Sequence, residues 1–311
     1  MKWVKRLSII FLSLIVIAIV LLYVYPSKQQ QVDIGLNFDN VYAQSLDLNW
    51  KDVYLSALVE LQPKHISVPA FWSEVESIKG IYTYTDVDWM LSEASKRNIK
   101  TTLIIGQKGR RGVECRIPKW VEGEQHTALL AYVSKTVERY TEHPSLEMIQ
   151  IEVEPFVPFI KDCPQYVERV ADITTIVKES NSRQQVVVSD NAETGSLQRA
   201  AKHADVLGLS IFRSRKGTDG QVFTYNWLST NMYKVKLAWS KVSQQKMLIS
   251  ALQGEPWFTS INMIYTPLQE QEKTMTVSIL NDQLNIASQL VTSRVYIDGV
   301  EWWYFMKVNN G

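Results

Sequence analysis

The chain has little of what marks several common functional classes. Lysine and arginine number 33 against 32 aspartates and glutamates, so no global positive field draws the protein toward nucleic acid. It has two cysteines and four histidines, and no histidine stands at ligand-like spacing to a cysteine, so we expect no metal site. Neither G-x-G-x-x-G nor G-x-x-x-x-G-K-[ST] occurs, so the signatures of nucleotide-binding sheets are missing. The sequence therefore predicts no cofactor.

Long apolar runs are also rare, and the exception stands at the start of the chain. Residues 7–25 carry no charge and follow a basic flank of residues 1–6. About 19 apolar residues in a helix span roughly 28 Å, close to the thickness of a bilayer's hydrocarbon core. We predict a single-pass transmembrane signal-anchor, with residues 1–6 in the cytoplasm and the rest on the extracytoplasmic side of the cell membrane. A cleaved signal peptide is the alternative, although no small-residue cleavage site follows.

After a polar linker at residues 26–32, short apolar runs alternate with amphipathic stretches. The runs read as strands at 33–38, 64–68, 100–106, 148–154, 185–190, 206–212, 246–252 and 294–304. Strands that alternate with helices imply a parallel sheet with right-handed crossovers. Eight such units in roughly 280 residues favour closure of the sheet. The predicted fold class is α/β, a single (β/α)8 TIM barrel over residues 33–311, preceded by one N-terminal transmembrane helix.

In a barrel of this kind, functional groups lie at the C-terminal ends of the strands. The predicted fourth strand ends with Glu152 and Glu154, which strand alternation places on one face. Two carboxylates buried there are costly unless they are used or paired. Glu154, nearer the rim, is the candidate general acid or base, and a salt-bridged pair is the alternative. Glu255 and Glu301 follow the seventh and eighth strands, and hydrolysis of a glycosidic bond requires two carboxylates.

Aromatic residues stand beside these carboxylates. The chain has 10 tryptophans, whose rings can stack on the apolar face of a sugar. For each of them, packing in the core is the alternative. The candidate sugar-binding platforms are Trp72, Trp120, Trp257, Trp302 and Trp303.

Motifs at the predicted strand ends run in order along the chain. They are Pro69-Ala-Phe-Trp72, Glu74-Val-Glu76, Gly80-Ile-Tyr82, Asp86-Val-Asp88-Trp89, Cys115-Arg-Ile-Pro118-Lys-Trp120, Gln150 to Phe156, Asp205 to Arg213, Gln253 to Trp257 and Gly299 to Tyr304. The series resembles clan A glycoside hydrolases, most closely a group of bacterial cellulase- or galactosidase-like proteins of undefined substrate. The resemblance implies a carbohydrate ligand and Glu154 as the acid/base. It also implies a disulfide between Cys115 and Cys163, which the expected oxidising exterior favours.

Four polar positions that the resemblance assigns to catalysis hold other residues. Ala251 occupies the position of the nucleophile, and Val153 that of the asparagine before the acid/base. Ser67 replaces an arginine on strand two, and Phe212 replaces a tyrosine on strand six. Alanine cannot form a glycosyl-enzyme intermediate, and the loss of a nucleophile can cost about 10⁴-fold in rate.

Two functions follow from this pattern. The first is a glycan-binding protein in which retaining hydrolysis is lost or strongly reduced. The alternative is an active glycosidase that uses Glu154 as acid/base and Glu255 or Glu301 as nucleophile or general base.

Overall fold

Eight parallel strands close into a barrel. A computed structural model describes residues 2–24, 28–109, 115–122, 125–157, 167–180, 183–217, 220–242, 247–257, 263–291 and 293–310. The first barrel strand pairs with the second and with the last, which closes the sheet. The barrel strands are β1 (Asp33–Asn37), β2 (His65–Phe71), β3 (Lys100–Gly106), β4 (Leu146–Ile151), β5 (Gln185–Asn191), β6 (Val206–Ile211), β9 (Met247–Leu252) and β10 (Arg294–Ile297). Between the sixth and seventh of them lies an antiparallel hairpin of β7 (Ser214–Lys216) and β8 (Val222–Thr224).

Helices surround the barrel and bury an apolar layer against the outer face of the strands. Side-chain caps lie at the start of several of them. For example, Asn49 accepts from the Lys51 amide at the start of helix Trp50–Glu60, and Thr276 accepts from the Ile279 amide at the start of helix Val277–Leu290. In the described part of the chain the helices are α1 (Lys2–Val24), α2 (Asn40–Ser45), α3 (Trp50–Glu60), α4 (Trp72–Val75), α5 (Thr85–Ser95), α6 (Gln125–Tyr140), α7 (Val167–Glu179), α8 (Gln198–His203), α9 (Thr230–Trp239), α10 (Leu268–Gln271), α11 (Val277–Leu290) and α12 (Val300–Asn310), with a 3-10 turn at Met263–Tyr265. The predicted (β/α)8 barrel is confirmed.

The barrel lumen is filled by layers of side chains. An apolar layer of Met148, Val187, Leu248 and Tyr296 lies toward the N-terminal ends of the strands. There the Tyr296 hydroxyl forms a hydrogen bond of 2.8 Å with Thr102 Oγ1 across the lumen. The next layer is polar, because Ser67 Oγ donates to Asn37 Oδ1 at 2.5 Å, and Gln150 lies beside Ser189. The polar layer lies toward the C-terminal ends of the strands.

Two predicted strands are too long. β4 ends at Ile151, because Glu152 and Glu154 have positive φ angles of 54° and 47°, which no strand accommodates. β10 ends at Ile297, because Gly299 with a φ of 114° turns the chain into α12. Glu301 therefore lies on the first turn of a helix and not at the end of a strand.

The predicted transmembrane helix is not supported. Among the residues that the structure describes, no helix combines the length and the apolar character needed to cross a bilayer. Helix α1 begins at Lys2, so Lys5 and Arg6 lie within it and not on a flank before it. Near its other end, the Tyr23 hydroxyl donates to the carbonyl of Trp227 at 3.0 Å.

Candidate functional site

Glu154 lies in the turn that follows β4, at the C-terminal end of the barrel. Its left-handed backbone conformation is unfavourable for a residue with a side chain, and strain of this kind gathers at functional sites. Two contacts hold the main chain in place. The Glu154 amide donates to Ser189 Oγ at 2.9 Å, and Lys108 Nζ donates to the Glu154 carbonyl at 2.5 Å. The turn thus fixes where the Glu154 carboxylate points.

The Glu154 carboxylate forms a buried ion pair with Arg215. Arg215 Nη2 lies 2.9 Å from Glu154 Oε2, and the two side chains are only 16% and 5% exposed. The guanidinium also lies 5.4 Å from the centre of the Phe212 ring. The other oxygen, Oε1, is buried and accepts no hydrogen bond from the described residues. One oxygen of the candidate acid/base is therefore held by a cation. Arg215 was not predicted as a site residue. The only sequence signal for it is that a basic residue stands just beyond the sixth strand.

Glu152 has a different surrounding and a structural role. Its carboxylate lies 2.8 Å from Arg169 Nη2, and both side chains are almost completely buried. It also accepts from the Gln107 amide at 3.2 Å. The expectation that Glu152 and Glu154 share one face of a strand is wrong, because the strand and its alternation end at Ile151.

Glu255 and Glu301 meet in one small pocket at the ends of β1, β9 and β10. Tyr42 donates to Glu255 Oε2 at 2.9 Å, and the Asp39 amide donates to Glu301 Oε1 at 2.6 Å. Burial, together with the charge of Glu255, raises the pKa of Glu301 well above its ordinary value. The residues that line the pocket are Asn37, Asp39, Tyr42, Glu255, Asp298, Gly299 and Glu301. The structure thus brings the two predicted substitutes together, while Glu154 is not among the lining residues.

Ser67 and Ala251 are both buried within the barrel. Ser67 is joined through Asn37 to Asp298, because Asn37 Nδ2 donates to Asp298 Oδ1 at 2.5 Å. Ala251 is 1% exposed and lies opposite Ser210 of β6, next to an irregularity in the pairing of β6 with β9. An alanine there offers no group that could attack a sugar.

Val153 and Phe212 are both buried and pack in apolar surroundings. Val153 packs in a small cluster with Phe71 and Ile104. Phe212 makes an edge contact with the Trp257 ring, with 6.5 Å between the ring centres. The positions where the resemblance expects an asparagine and a tyrosine are thus hydrophobic in the folded protein.

A second buried cation near the mouth was not predicted as a site residue. Arg116 is 1% exposed, and its Nη2 lies 2.7 Å from Asp39 Oδ2 and its Nη1 3.5 Å from Glu74 Oε2. Burial raises the pKa of Glu74 despite the opposing effect of Arg116. Arg116 follows Cys115 in the motif Cys115-Arg-Ile-Pro118-Lys-Trp120, and its place in this motif is the sequence signal that marks it.

The five candidate tryptophans divide by exposure. Trp72 is fully buried, stacks with Tyr132 and donates to Glu76, so it has no free ring face for a sugar and is a core residue. The other four are half-buried. Trp120, Trp302 and Trp303 each use the indole N–H in a hydrogen bond, to Glu76, Gln271 and Gly254 respectively. Trp257, beside Phe212, remains the candidate platform nearest the residues that replace the catalytic set.

Cys115 is disulfide-bonded. Its expected partner, Cys163, lies outside the described residues. In the described part of the chain, Cys115 stands at an isolated antiparallel bridge with Lys108, next to Arg116. A disulfide is therefore attached to the loop that carries the buried Arg116.

Comparison with known proteins supports the fold. No family model and no curated protein matches the chain. A solved GH5_18 structure from Bifidobacterium longum subsp. longum in complex with Manβ1-4GlcNAc is 14% identical, with a TM-score of 0.60, and the match covers 86% of this chain and 68% of that one. The exo-β-1,4-mannosidase Op5Man5 from Opitutaceae bacterium strain TAV5 is 11% identical, with a TM-score of 0.59 and coverage of 87% and 53%. A β-galactosidase from Marinomonas ef1 is 11% identical, with a TM-score of 0.59 and coverage of 85% and 53%.

At these identities the likeness establishes the fold and not the activity. The neighbours are clan A glycoside hydrolases with eight-stranded parallel barrels, so the resemblance drawn from the sequence is confirmed for the fold. The chain spans only about half the length of the mannosidase and the galactosidase.

Proposed function

We propose that this protein binds a glycan at the C-terminal end of its barrel and has lost retaining hydrolysis or keeps very little of it. The observation that carries the proposal is Ala251, a buried methyl group in the position where the resemblance expects the nucleophile. Retaining hydrolysis needs a second carboxylate about 5 Å from the acid/base. The group that faces Glu154 is instead the guanidinium of Arg215.

Several features of the cleft support glycan binding. The upper layer of the lumen is polar, and Phe212 and Trp257 lie in contact just beyond the ends of β6 and β9, a combination suited to a ring with hydroxyl edges and an apolar face. One structural neighbour is described in complex with a disaccharide. The disulfide of Cys115 favours an oxidising compartment, so we also propose that the barrel acts outside the cytoplasm.

A specific observation favours the alternative, an active glycosidase. Glu255 and Glu301 are both nearly buried and line one pocket, so two further carboxylates lie together at the C-terminal end of the barrel. In this mechanism one of the two would act as nucleophile or general base with Glu154 as acid/base. The wider carboxylate separation of an inverting enzyme would suit a water molecule beside Ala251.

Hydrolysis assays separate the two functions. The full chain would be incubated with aryl β-mannosides, β-galactosides and β-glucosides, beside the variants Glu154→Gln and Ala251→Glu. We expect no turnover by the unaltered chain and turnover by Ala251→Glu that disappears when Glu154→Gln is added. Turnover by the unaltered chain that disappears with Glu154→Gln would establish the glycosidase and refute the loss of catalysis.

A further inference from the structure

The connection between β6 and α9 carries a hairpin that lies at the C-terminal end of the barrel. β6 ends at Ile211 and α9 begins at Thr230, so the connection is far longer than the roughly 2–6 residues usual in α/β units. β7 is the inner strand of this hairpin, because Ser214 is 5% exposed and the Arg215 side chain 16%. β8 is the outer strand, because Phe223, the register partner of Arg215, is 50% exposed. The inner strand therefore makes the contacts with the barrel.

Two of these contacts lie on opposite sides of β6, the strand from which the hairpin emerges. On one side, the Ser214 amide donates to Gln253 Oε1 at 2.9 Å, just beyond the end of β9. Gln253 is itself held in place, because its Nε2 donates to the Glu255 carbonyl at 3.1 Å. On the other side, Arg215 reaches past β5 to Glu154 after β4, since the strand order is β9, β6, β5, β4. β7 and its side chains thus extend over the ends of four adjacent strands.

The inner strand covers the carboxylate of Glu154. Glu154 is 4% exposed, and the Arg215 guanidinium lies directly on its Oε2. The guanidinium in turn packs 5.4 Å from the centre of the Phe212 ring, and Phe212 is 7% exposed. A sugar cannot contact a carboxylate buried in this way until Arg215 moves off it.

The base of the hairpin is closed by bonds of its own. The Tyr225 amide donates to the Arg213 carbonyl at 2.7 Å. The Arg213 guanidinium donates to the carbonyls of Asn226 and Leu228 at 3.0 and 2.6 Å. These bonds do not depend on Gln253 or on Glu154. The hairpin can therefore leave the barrel end as one unit, with its base intact.

The ion pair that holds the hairpin down is costly to bury. Glu154 and Arg215 both lose water when the hairpin closes, and the attraction within a buried pair offsets that loss only narrowly. Opening returns both charges to water. The closed and open arrangements can thus lie close in free energy, as a two-state element requires.

We propose that β7 and β8 form a latch, which closes the barrel end over Glu154 in the free protein and opens when Arg215 leaves the carboxylate. The latch is a property of the free chain, and only the glycan as the ligand that opens it rests on the proposed function. A ligand that contacts Glu154 has to displace Arg215 first. Its apparent affinity is therefore reduced by the fraction of molecules that are open.

The first arm of the test measures amide hydrogen exchange of the free full chain, residue by residue. When the latch opens as a unit, the Ser214 amide loses its bond to Gln253, while the Tyr225 amide keeps its bond to Arg213. We expect the protection factor of Ser214 to be at least about 10-fold lower than that of Tyr225. Equal protection of the two amides would show that the hairpin does not swing as a unit and would overturn the latch.

Variants connect this exchange to the ion pair. Arg215→Gln removes the contact that closes the latch, so we expect Ser214 to exchange at least about 10-fold faster than in the unaltered chain. Arg215→Lys keeps a cation without the planar guanidinium and should give an intermediate rate, and it serves if Arg215→Gln does not fold. The matched control is Arg139→Gln, which breaks an ion pair with Asp88 and should leave Ser214 unchanged. Unchanged exchange of Ser214 in both Arg215 variants would overturn the latch.

The second arm measures affinity by calorimetric titration with Manβ1-4GlcNAc as the probe. We expect Arg215→Gln to bind the probe at least about 10-fold more tightly than the unaltered chain, and Arg139→Gln to bind it equally well. Weaker binding by Arg215→Gln would show that Arg215 contacts the ligand, which would overturn the latch and leave the proposed function intact. Binding by neither the unaltered chain nor Arg215→Gln would count against the proposed function, and the amide exchange would then decide on the latch by itself.

Discussion

At the scale of single residues, the ion pair of Glu154 with Arg215 fixes one oxygen of the candidate acid/base. A general acid/base must exchange a proton with its substrate, so its carboxylate oxygens must be accessible to that substrate. Here Arg215 Nη2 lies 2.9 Å from one of the two Glu154 oxygens. The pair is almost completely buried, so its desolvation is offset only while both partners are present. Arg215 therefore holds the Glu154 carboxylate in one position.

Removal of Arg215 tests this dependence. Arg215→Gln leaves the Glu154 carboxylate buried without its cation, so we expect a loss of about 3 kcal/mol in the free energy of unfolding at neutral pH. Urea denaturation of Arg215→Gln, Glu154→Gln and the double variant provides the measurement. In the double variant the loss should be smaller than the sum of the single losses, and strict additivity would show that the ion pair contributes nothing.

A second residue-scale prediction concerns His65, at the start of β2. Burial and, next, the charge of Arg294 lower the pKa of His65 to about 4 in the folded protein. The groups around it are Asp33, Lys64, Glu147 and Arg294. The unfolded chain takes up this proton at the ordinary pKa of 6.5, so it binds more protons than the folded protein between pH 6.5 and about 4. The free energy of unfolding should therefore fall as the pH drops through that window.

Comparison with His65→Gln isolates this effect from other titrating groups. Denaturation midpoints measured from pH 7 to pH 4 should fall less steeply for the variant than for the unaltered chain. Parallel curves for the two proteins would show that His65 does not contribute to the pH dependence.

At the scale of elements, the turn after β4 is the feature that positions the site. Glu152 pairs outward with Arg169, whereas Glu154 turns toward the cleft, and the two left-handed residues make that division possible. Gly106 at the end of β3 gives the turn its space, because a side chain there would overlap Glu152. β3 and the turn after β4 are thus fitted to one another.

A glycine substitution tests this fit. Gly106→Ala adds both backbone strain at a φ of 113° and overlap with Glu152, so we expect a loss of at least about 3 kcal/mol. Gly80→Ala is the matched control, because its φ is 77° but no atom lies within 4 Å of the added carbon. It should cost about 1–2 kcal/mol from strain alone. Equal losses in thermal or urea unfolding would contradict the close packing of β3 against the turn.

The elements also show what a sequence can reveal. Each of the eight barrel strands was predicted within a few residues at its start, because apolar runs flanked by turn residues are local signals. The ends of β4 and β10 were not predicted correctly. Glu152 and Glu154 fit the alternating pattern of a strand although their backbones are left-handed, and the single Gly299 did not mark the end of β10 in the sequence. Helix α12 was not predicted, because its apolar and aromatic residues suit a strand as well as a helix.

The site was predictable only in part for a related reason. Glu154 could be identified because a carboxylate near the end of a buried strand is unusual, whatever its neighbours. Arg215 and Arg116 could not be identified, because their partners lie far away along the chain and an arginine outside the predicted strands and helices is usually solvated. The grouping of Glu255 with Glu301 likewise depends on the neighbouring ends of β9 and β10, which only the folded barrel brings together.

At the scale of the whole molecule, the barrel resembles clan A glycoside hydrolases in its fold. The barrel and its polar layer are present, while Ala251 holds the position that the resemblance assigns to the nucleophile and Arg215 is paired with Glu154. A scaffold that keeps its cleft after such changes suits recognition. The loss of catalysis that we propose would thus reside in a few side chains of the barrel.

The most direct test of this account is the reaction of the unaltered full chain with dinitrophenyl β-mannoside and β-galactoside, with and without sodium azide. If Ala251 leaves the barrel without a nucleophile, neither glycoside should be hydrolysed in buffer. Azide can enter in place of the missing carboxylate, displace the dinitrophenolate at the anomeric carbon and give a glycosyl azide of inverted configuration. Hydrolysis in buffer alone, unchanged by azide and abolished by Glu154→Gln, would contradict the account and identify a working glycosidase.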